Sequence, residues 1–120
     1  MENNHTYRKL LVWQKSMALV TEIYKEVRIF PNDELYVLTS QIKRSATSIP
    51  SNIAEGYVRD GKKDYLRFLN IALSSLFELQ TQLEIAHNLQ FLEKDNFNML
   101  YENSREIERM LTSFIRKIKA

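Results

Sequence analysis

Apolar residues recur every three or four positions along four segments of the chain, and this spacing predicts four amphipathic helices. The segments run from Leu10 to Ile29, Leu35 to Tyr57, Lys62 to about Leu89 and about Lys94 to Ile118. The joints between them are only a few residues long, which brings successive helices side by side in opposite directions. The pattern therefore predicts an all-α fold, an antiparallel up-down-up-down four-helix bundle.

One stripe of each segment is expected to face the shared core. In the first two segments it comprises Leu10, Trp13, Met17, Val20, Tyr24 and Val27, then Leu35, Leu38, Ile42, Ser45, Ile49 and Asn52 or Ile53. In the third it comprises Leu66, Leu69, Leu73, Leu76, Leu83 and Ala86, widened by Phe68 and Leu79. In the fourth, Phe97, Leu100, Ser104, Ile107, Leu111, Phe114 and Ile118 form a heptad seam with one polar position.

Proline and glycine mark the expected helix ends. Pro31 disfavours helical geometry at Phe30, and Asn32 or Asp33 is expected to cap the second helix. Gly56 and Gly61 bracket the second joint.

Pro50 falls inside the second helix, where it lacks an N–H and crowds the carbonyl of Ala46. We expect a kink there, with the Thr47 and Ser48 hydroxyls serving the freed backbone groups and Asn52 restarting the ladder. The alternative is two helices with a turn over residues 48–51.

Composition narrows the class of protein. A chain of 120 residues with 44% hydrophobic and 27% charged residues suits a single domain over residues 1–120, with residues 1–8 expected as a flexible leader. Two Gly and two Pro leave little room for the turns of a β fold. The sequence shows no secretory signal pattern and no membrane-length apolar run, so we expect a cytoplasmic protein without membrane contact.

Few residues could carry chemistry. Cysteine is absent, and neither His5 nor His87 has a second ligand at helical spacing, so we expect no metal site. There is no phosphate-binding glycine loop and no nucleophile motif. The sequence therefore predicts no catalytic residues, no enzyme activity and no cofactor.

Two stripes of small and polar residues interrupt the apolar pattern of adjacent helices. They comprise Ser48, Asn52 and Glu55 on the second helix and Asn70, Ser74, Ser75 and Glu78 on the third. Such stripes suit close, hydrogen-bonded packing, either inside the bundle or against another subunit.

The net charge is only +2, so attraction to nucleic acid requires local clustering. Basic residues gather around the second joint: Lys43, Arg44, Arg59, Lys62, Lys63 and Arg67. From Phe68 to Glu93 there is no Lys or Arg, so the third helix is basic at its start and acidic towards its end. Repeated around a symmetric assembly, this patch could hold phosphates; in a monomer, it is an ordinary solvated end.

Four blocks of sequence, in order, resemble one known family. They are Val12-Trp13-Gln14-Lys15, Leu38 to Ser45, Ser48 to Gly56 and Phe68 to Leu79. Together they are similar to the four-helix-bundle intervening-sequence proteins encoded in bacterial large-subunit ribosomal RNA genes, also called S23 ribosomal proteins. Relatives of that family include the accessory variability determinant of diversity-generating retroelements.

The resemblance implies a bundle that assembles as a homopentameric, barrel-like ring and binds nucleic acid through basic surfaces. Ser48, Pro50, Asn52, Glu55 and Gly56 match the most recognisable block of the family, and Lys43 and Arg44 match its basic pair. Lys43 stands where Arg is commoner, which keeps the charge but loses bidentate phosphate geometry.

Two functions follow as hypotheses. The first is a non-catalytic oligomeric scaffold that binds RNA or structured nucleic acid through the six basic residues. The alternative is a protein–protein interaction module that makes no direct contact with nucleic acid. An oligomer interface or structural role is expected for Ser48, Pro50, Asn52, Glu55, Gly56, Ser74, Ser75 and Glu78.

Overall fold

The structure, a computed structural model, describes residues 6–120, which form four α-helices linked by short connections. Helix α1 spans Leu11–Glu26, α2 Leu38–Tyr57, α3 Lys62–Asn88 and α4 Lys94–Lys119. Three 3-10 turns, at Thr6–Lys9, Val27–Ile29 and Asn32–Glu34, complete the regular structure of this part of the chain. It contains no β-strand, so the predicted all-α class is confirmed.

Each helix packs against two others around one core. α1 contacts α2 and α4, and α3 also contacts α2 and α4, so the four helices close into a ring of neighbours. The largest fully buried side chains come from all four helices and the last connection: Ile23, Ile42, Ile49, Ile53, Leu69, Leu76, Leu79, Leu83, Leu92, Leu100, Ile107 and Leu111. Burial of each such side chain contributes about 1.5–3 kcal/mol, which makes this shared core the main source of stability.

The predicted stripe of α1 is correct at Val27, which is buried, and at Leu10, Trp13 and Val20, which pack against the core, but it is wrong at two positions. Met17 and Tyr24 are 43% and 40% exposed, whereas Leu19 and Ile23 are at most 2% exposed. The sequence of α1 carries two apolar stripes about 100° apart, and periodicity alone does not decide which faces inward. Packing of α1 against α2 and α4 buries the Leu19 and Ile23 side, and the Lys43 ammonium of α2 lies 4.8 Å from the centre of the Tyr24 ring on the outer flank.

The start of α2 also differs from the prediction. Leu35, Tyr36 and Val37 are exposed, and the helix begins at Leu38. Neither Asn32 nor Asp33 caps it; the Glu34 carboxylate instead accepts a hydrogen bond of 3.4 Å from the Leu38 N–H. Because the 3-10 turn at Asn32–Glu34 intervenes after Pro31, the helix starts one turn later than the apolar spacing suggests.

Pro50 lies inside an unbroken α2, so the alternative of two separate helices is wrong. The kink at Pro50 stays a prediction. The Thr47 hydroxyl donates to the Lys43 and Arg44 carbonyls rather than to Ala46, and the Asn52 amide donates to the Ser48 carbonyl and hydroxyl. Pro50 itself is buried, so its ring fills core space where a polar side chain would be costly.

Part of the expected leader has regular structure. Residues 6–8 belong to the 3-10 turn at Thr6–Lys9, which contacts both α1 and α2. The Gln14 side-chain amide donates to the Arg8 carbonyl at 2.7 Å, and the Leu10 N–H donates to the Tyr7 carbonyl at 3.0 Å. The remainder of that expected leader lies outside the described residues.

Candidate nucleic-acid interface

Four of the six predicted basic residues lie together at the α2–α3 connection. Arg59 follows the end of α2, Lys62 and Lys63 begin α3, and Arg67 lies one turn further on. Gly61 directs the chain into α3 with a φ of 90°, a left-handed conformation that residues with a Cβ rarely adopt. Lys62 and Lys63 are exposed and make no ion pair with any residue in the range 6–120.

The two arginines of this connection are held in place by both charge and an aromatic ring. Arg59 pairs with the Glu55 carboxylate at 2.9 Å, and Arg67 pairs with Asp64 at 3.1 Å. Both guanidinium carbons also lie over the Phe68 ring, at 4.8 Å and 4.4 Å from its centre. These ion pairs are exposed, so each contributes at most about 1 kcal/mol and leaves the guanidinium available to a phosphate.

Lys43 and Arg44 lie elsewhere on α2. Arg44 is 13 residues before the end of the helix at Tyr57, a distance of about 20 Å along the axis. Lys43 lies over Tyr24 of α1, and the Arg44 guanidinium donates to the Ser40 hydroxyl at 3.3 Å. The structure therefore divides the predicted group of six into a cluster of four and a separate pair.

Five basic residues that sequence reasoning did not assign lie at the same end of the molecule as the cluster. They are Arg8 and Lys9 in the first 3-10 turn and Arg116, Lys117 and Lys119 in the last turn of α4. Cations in the last turn of a helix also interact favourably with its C-terminal carbonyls. We call these five, with Arg59, Lys62, Lys63 and Arg67, the basic end.

Contacts between side chains establish that these segments meet. The Tyr65 ring lies edge-on to Tyr57 at 5.9 Å and to Phe114 at 5.8 Å, which joins α2, α3 and α4. Leu10 and Phe114 line one surface hollow, which joins the start of α1 to α4. The predicted topology could have indicated these five residues. In an up-down-up-down bundle of four helices, the start of the first helix and the end of the last lie beside the connection between the second and third.

The basic end carries few compensating charges. In the described part of the chain, the acidic residues beside the α2–α3 connection are Glu55, Asp60 and Asp64. Within residues 6–120, only Arg59 and Arg67 of the nine Lys and Arg side chains of the basic end form ion pairs. The opposite end, where Phe30 contacts Phe91 at 5.7 Å between ring centres, combines Asp33, Glu34, Glu93 and Asp95 with Arg28 and Lys94. The charge of the protein is thus concentrated on one end although its net value is small.

The two polar stripes meet partly inside the molecule. The Ser75 hydroxyl of α3 donates to the Ser48 hydroxyl of α2 at 2.8 Å, and the buried Ser45 hydroxyl donates to the Gln82 amide oxygen at 2.7 Å. Ser74 and Glu78, by contrast, are exposed on α3. The stripes therefore serve close packing of α2 on α3 and leave a polar outer edge.

Tyr65 is a polar residue that the structure isolates at the basic end. Its hydroxyl is buried and finds no hydrogen-bond partner among residues 6–120. Burial, with a smaller contribution from the charge of Tyr57, raises the pKa of Tyr65 to about 12. An unsatisfied buried hydroxyl costs about 1–3 kcal/mol in proteins, so this group opposes folding rather than supporting it.

Tyr65→Phe should therefore leave the free energy of unfolding at pH 7 unchanged or raise it by about 1 kcal/mol. Because the pKa of Tyr65 is raised above its ordinary value of 10.0, the unfolded chain loses this proton first, so wild-type stability falls as pH rises from 10 towards about 12. The variant should lose less stability over that interval in urea unfolding. Tyr36→Phe, at an 89% exposed position, is the control and should change neither value. A variant less stable than wild type at pH 7 would contradict the prediction.

Other classes of site find no support in the described part of the chain. Residues 6–120 hold no group of three or more His, Cys, Asp or Glu side chains placed to bind a metal ion. None of the helices described is both long enough and apolar enough to span a bilayer.

The fold and the basic end define a small four-helix protein whose positive charge is gathered at one end. Comparison with known proteins gives the family. The profile described as 23S rRNA-intervening sequence protein matches residues 8–113, and the chain belongs to that family.

A solved structure from Bacteroides thetaiotaomicron VPI-5482, described as a protein of unknown function from the S23 ribosomal protein family, has a similar fold. It is 29% identical, with a TM-score of 0.82, over 88% of this chain and 98% of that one. No curated protein matches the chain. The resemblance noted in the sequence is thereby confirmed.

Proposed function

We propose that this protein is a non-catalytic oligomeric scaffold that binds RNA through its basic end. The observation that carries the proposal is the convergence of nine Lys and Arg side chains on one end, seven of them without an ion pair within residues 6–120. Phosphates release counterions when they meet such a surface, so affinity comes mainly from charge and falls steeply with salt. Membership of a family named for 23S rRNA favours RNA as the ligand and the cytoplasm as its location.

Lys43 and Arg44 remain part of this proposal as a second contact. They lie on α2 about 20 Å before its end, so an RNA strand that follows α2 could reach both them and the basic end. We assign the main contact to the α2–α3 connection, because the basic residues of the first 3-10 turn and of the last turn of α4 lie at the same end. Its residues are Arg59, Lys62, Lys63 and Arg67.

Charge reversal tests the RNA-binding proposal. Replacing Arg59, Lys62 and Lys63 by Glu should weaken binding to a 23S ribosomal RNA fragment by roughly tenfold or more at low salt. A plot of log affinity against log salt should also become shallower by about 2 for single-stranded RNA, because three phosphate contacts are lost. The measurement is fluorescence anisotropy over a salt series.

The matched control reverses three charges at the opposite end, with Glu in place of Lys25, Arg28 and Lys94. It changes the net charge by the same amount and should leave the salt slope near the wild-type value. Equal losses in both variants would mean that total charge alone governs binding. Absence of wild-type affinity at low ionic strength would refute the proposal.

We also propose that the chain forms an antiparallel bundle that assembles into a homopentameric ring. Antiparallel packing is supported by side-chain contacts whose numbering rises along α2 while it falls along α3: Ser45 with Gln82, Ser48 with Ser75, and Tyr57 with Tyr65. The pentamer follows from the family resemblance. A ring would multiply the basic end and so raise its avidity for RNA.

An outer face of α3 suits a subunit contact. Ile71, Ser74 and Glu78 are exposed at spacings of three and four residues, and Phe77 beside them is 45% exposed. Mixed apolar and polar surfaces of this kind are typical of oligomer interfaces. Light scattering should give five times the 14.3 kDa of one chain, and a monomeric mass at micromolar concentration would exclude the ring.

A protein-interaction module is the second candidate function, favoured by apolar side chains at the opposite end. Ile29, Tyr36 and Val37 are 70%, 89% and 53% exposed around the α1–α2 connection. Clusters of exposed apolar side chains are typical of protein-binding surfaces. Pull-down from a nuclease-treated lysate with wild type and with Ile29→Ser/Tyr36→Ser tests it. Loss of all partners on nuclease treatment would favour RNA binding alone.

A further inference from the structure

Three arginines of the basic end lie over aromatic rings. The Arg8 guanidinium carbon is 5.5 Å from the centre of the Trp13 ring and 5.6 Å from that of Tyr7. Tyr7 and Trp13 in turn meet edge-on, with ring centres 5.3 Å apart. Arg59 and Arg67 share the Phe68 ring in the same way. A guanidinium held over a ring is ordered before any ligand arrives, which lowers the entropic cost of binding.

The two arginine–aromatic groups flank the C-terminal half of α2. Trp13 lies on α1 three turns before Tyr24 and on the same flank, the one that Lys43 of α2 covers. The 3-10 turn that carries Arg8 contacts α2 directly. On the other flank, the α3 residue Phe68 lies beside Gly56, near the end of α2. One ligand running across the end of α2 would therefore meet both groups.

We propose that the basic end recognises unpaired bases, and hence single-stranded RNA in preference to a duplex; this inference rests on the proposed RNA-binding function. Lysines alone would attract the phosphates of either form and would favour the duplex, because its two strands carry charge at the higher density. Arginine planes and aromatic rings add base stacking, worth about 1–3 kcal/mol per base in single-strand complexes. A duplex hides its base faces, so only unpaired nucleotides gain this contribution.

The kinds of basic side chain at the basic end support a preference for single-stranded RNA. Among the basic side chains of this end, the arginines Arg8, Arg59 and Arg67 are the ones found over rings, while Lys62 and Lys63 are exposed point charges. Arg59 and Arg67 are also partly neutralised by Glu55 and Asp64, which makes them weaker purely electrostatic contacts. Their geometry therefore serves stacking in addition to the phosphate contact.

The test compares two RNA probes with the intact protein. A 12-nucleotide oligouridine and a 12-base-pair RNA duplex, each labelled, are titrated by fluorescence anisotropy at one salt concentration. The oligouridine should bind at least tenfold more tightly than the duplex. Trp13 is the single tryptophan of the chain, so its emission should be quenched by the oligouridine and not by the duplex.

A charge-preserving variant separates stacking from attraction. Arg8→Lys/Arg59→Lys/Arg67→Lys keeps every charge and alters only exposed side chains, so the fold is retained. Oligouridine affinity should fall about tenfold, while duplex affinity stays within twofold of wild type. Lys62→Ala/Lys63→Ala is the counterpart and should weaken both probes alike.

The outcomes separate the two proposals. If the duplex binds as tightly as the oligouridine or more tightly, and the triple Lys variant behaves like wild type, binding is by charge alone; the stacking inference then fails while the proposed function stands. Tight oligouridine binding with unchanged Trp13 emission would exclude the Tyr7–Arg8–Trp13 group from the site. If neither probe binds at low salt, both proposals fail.

Discussion

Leu19→Ala is expected to lower the free energy of unfolding by about 3–5 kcal/mol, whereas Met17→Ala should lower it by about 1 kcal/mol or less. Leu19 is 2% exposed in the shared core and Met17 is 43% exposed on the neighbouring flank of α1. Truncating Leu19 removes buried methyl groups and leaves a cavity that four packed helices cannot close. Met17 has water beside it already, so little is lost.

Urea unfolding of both variants measures the difference. Leu19 and Met17 lie on the same helix two residues apart, so helix propensity and chain position are nearly matched. The apolar spacing of the sequence predicts the reverse order, with Met17 inside. A larger loss for Met17→Ala would therefore show that α1 packs through the predicted stripe and that the described core is incorrect.

Gly56→Ala should destabilise the protein by about 1–3 kcal/mol although alanine is the better helix former. A Cβ at residue 56 would lie 2.8 Å from the Phe68 Cβ and 3.1 Å from the Tyr65 ring, on a helix packed directly against it. Both contacts are too short, and the Phe68 Cβ is fixed to its backbone, so α2 and α3 must move apart. The gain of about 1 kcal/mol in helix propensity offsets only part of that cost.

Thermal unfolding checks this prediction, with Ser51→Ala as the control. Ser51 is exposed on the same helix, and its replacement should change stability by no more than about 0.5 kcal/mol. Since Phe68 carries Arg59 and Arg67, the Gly56 variant should also weaken RNA binding. A Gly56→Ala protein as stable as wild type or more so would mean that α2 and α3 do not approach each other closely here.

The distribution of charge explains why composition alone is a poor guide to this protein. A net charge of +2 suggests little affinity for nucleic acid. Yet the basic end gathers nine of the 17 Lys and Arg residues, and much of the acidic charge lies elsewhere. Field strength depends on how charges are placed, so a nearly neutral protein can still present a strongly positive surface.

Much of the fold could be predicted from the sequence, because helix formation depends on spacing along the chain. The heptad seam of α4 is the clearest case: Leu100, Ser104, Ile107 and Leu111 are all buried as predicted. The second joint was placed to within two residues: Gly61 precedes α3 as predicted, whereas Gly56 lies inside α2, which ends at Tyr57. Four of the predicted basic residues followed from that joint.

The buried side of α1 and the basic end were decided only by the tertiary structure, because both depend on residues that are distant in sequence. Packing against α2 and α4 settled which residues of α1 face inward. The meeting of α4 and the first 3-10 turn with the α2–α3 connection formed the basic end. A periodic pattern predicts that a helix has an apolar side, but it does not predict which neighbouring helix covers that side. Local physics therefore determined the four helices, and the packing between them determined the core register and the charged surface.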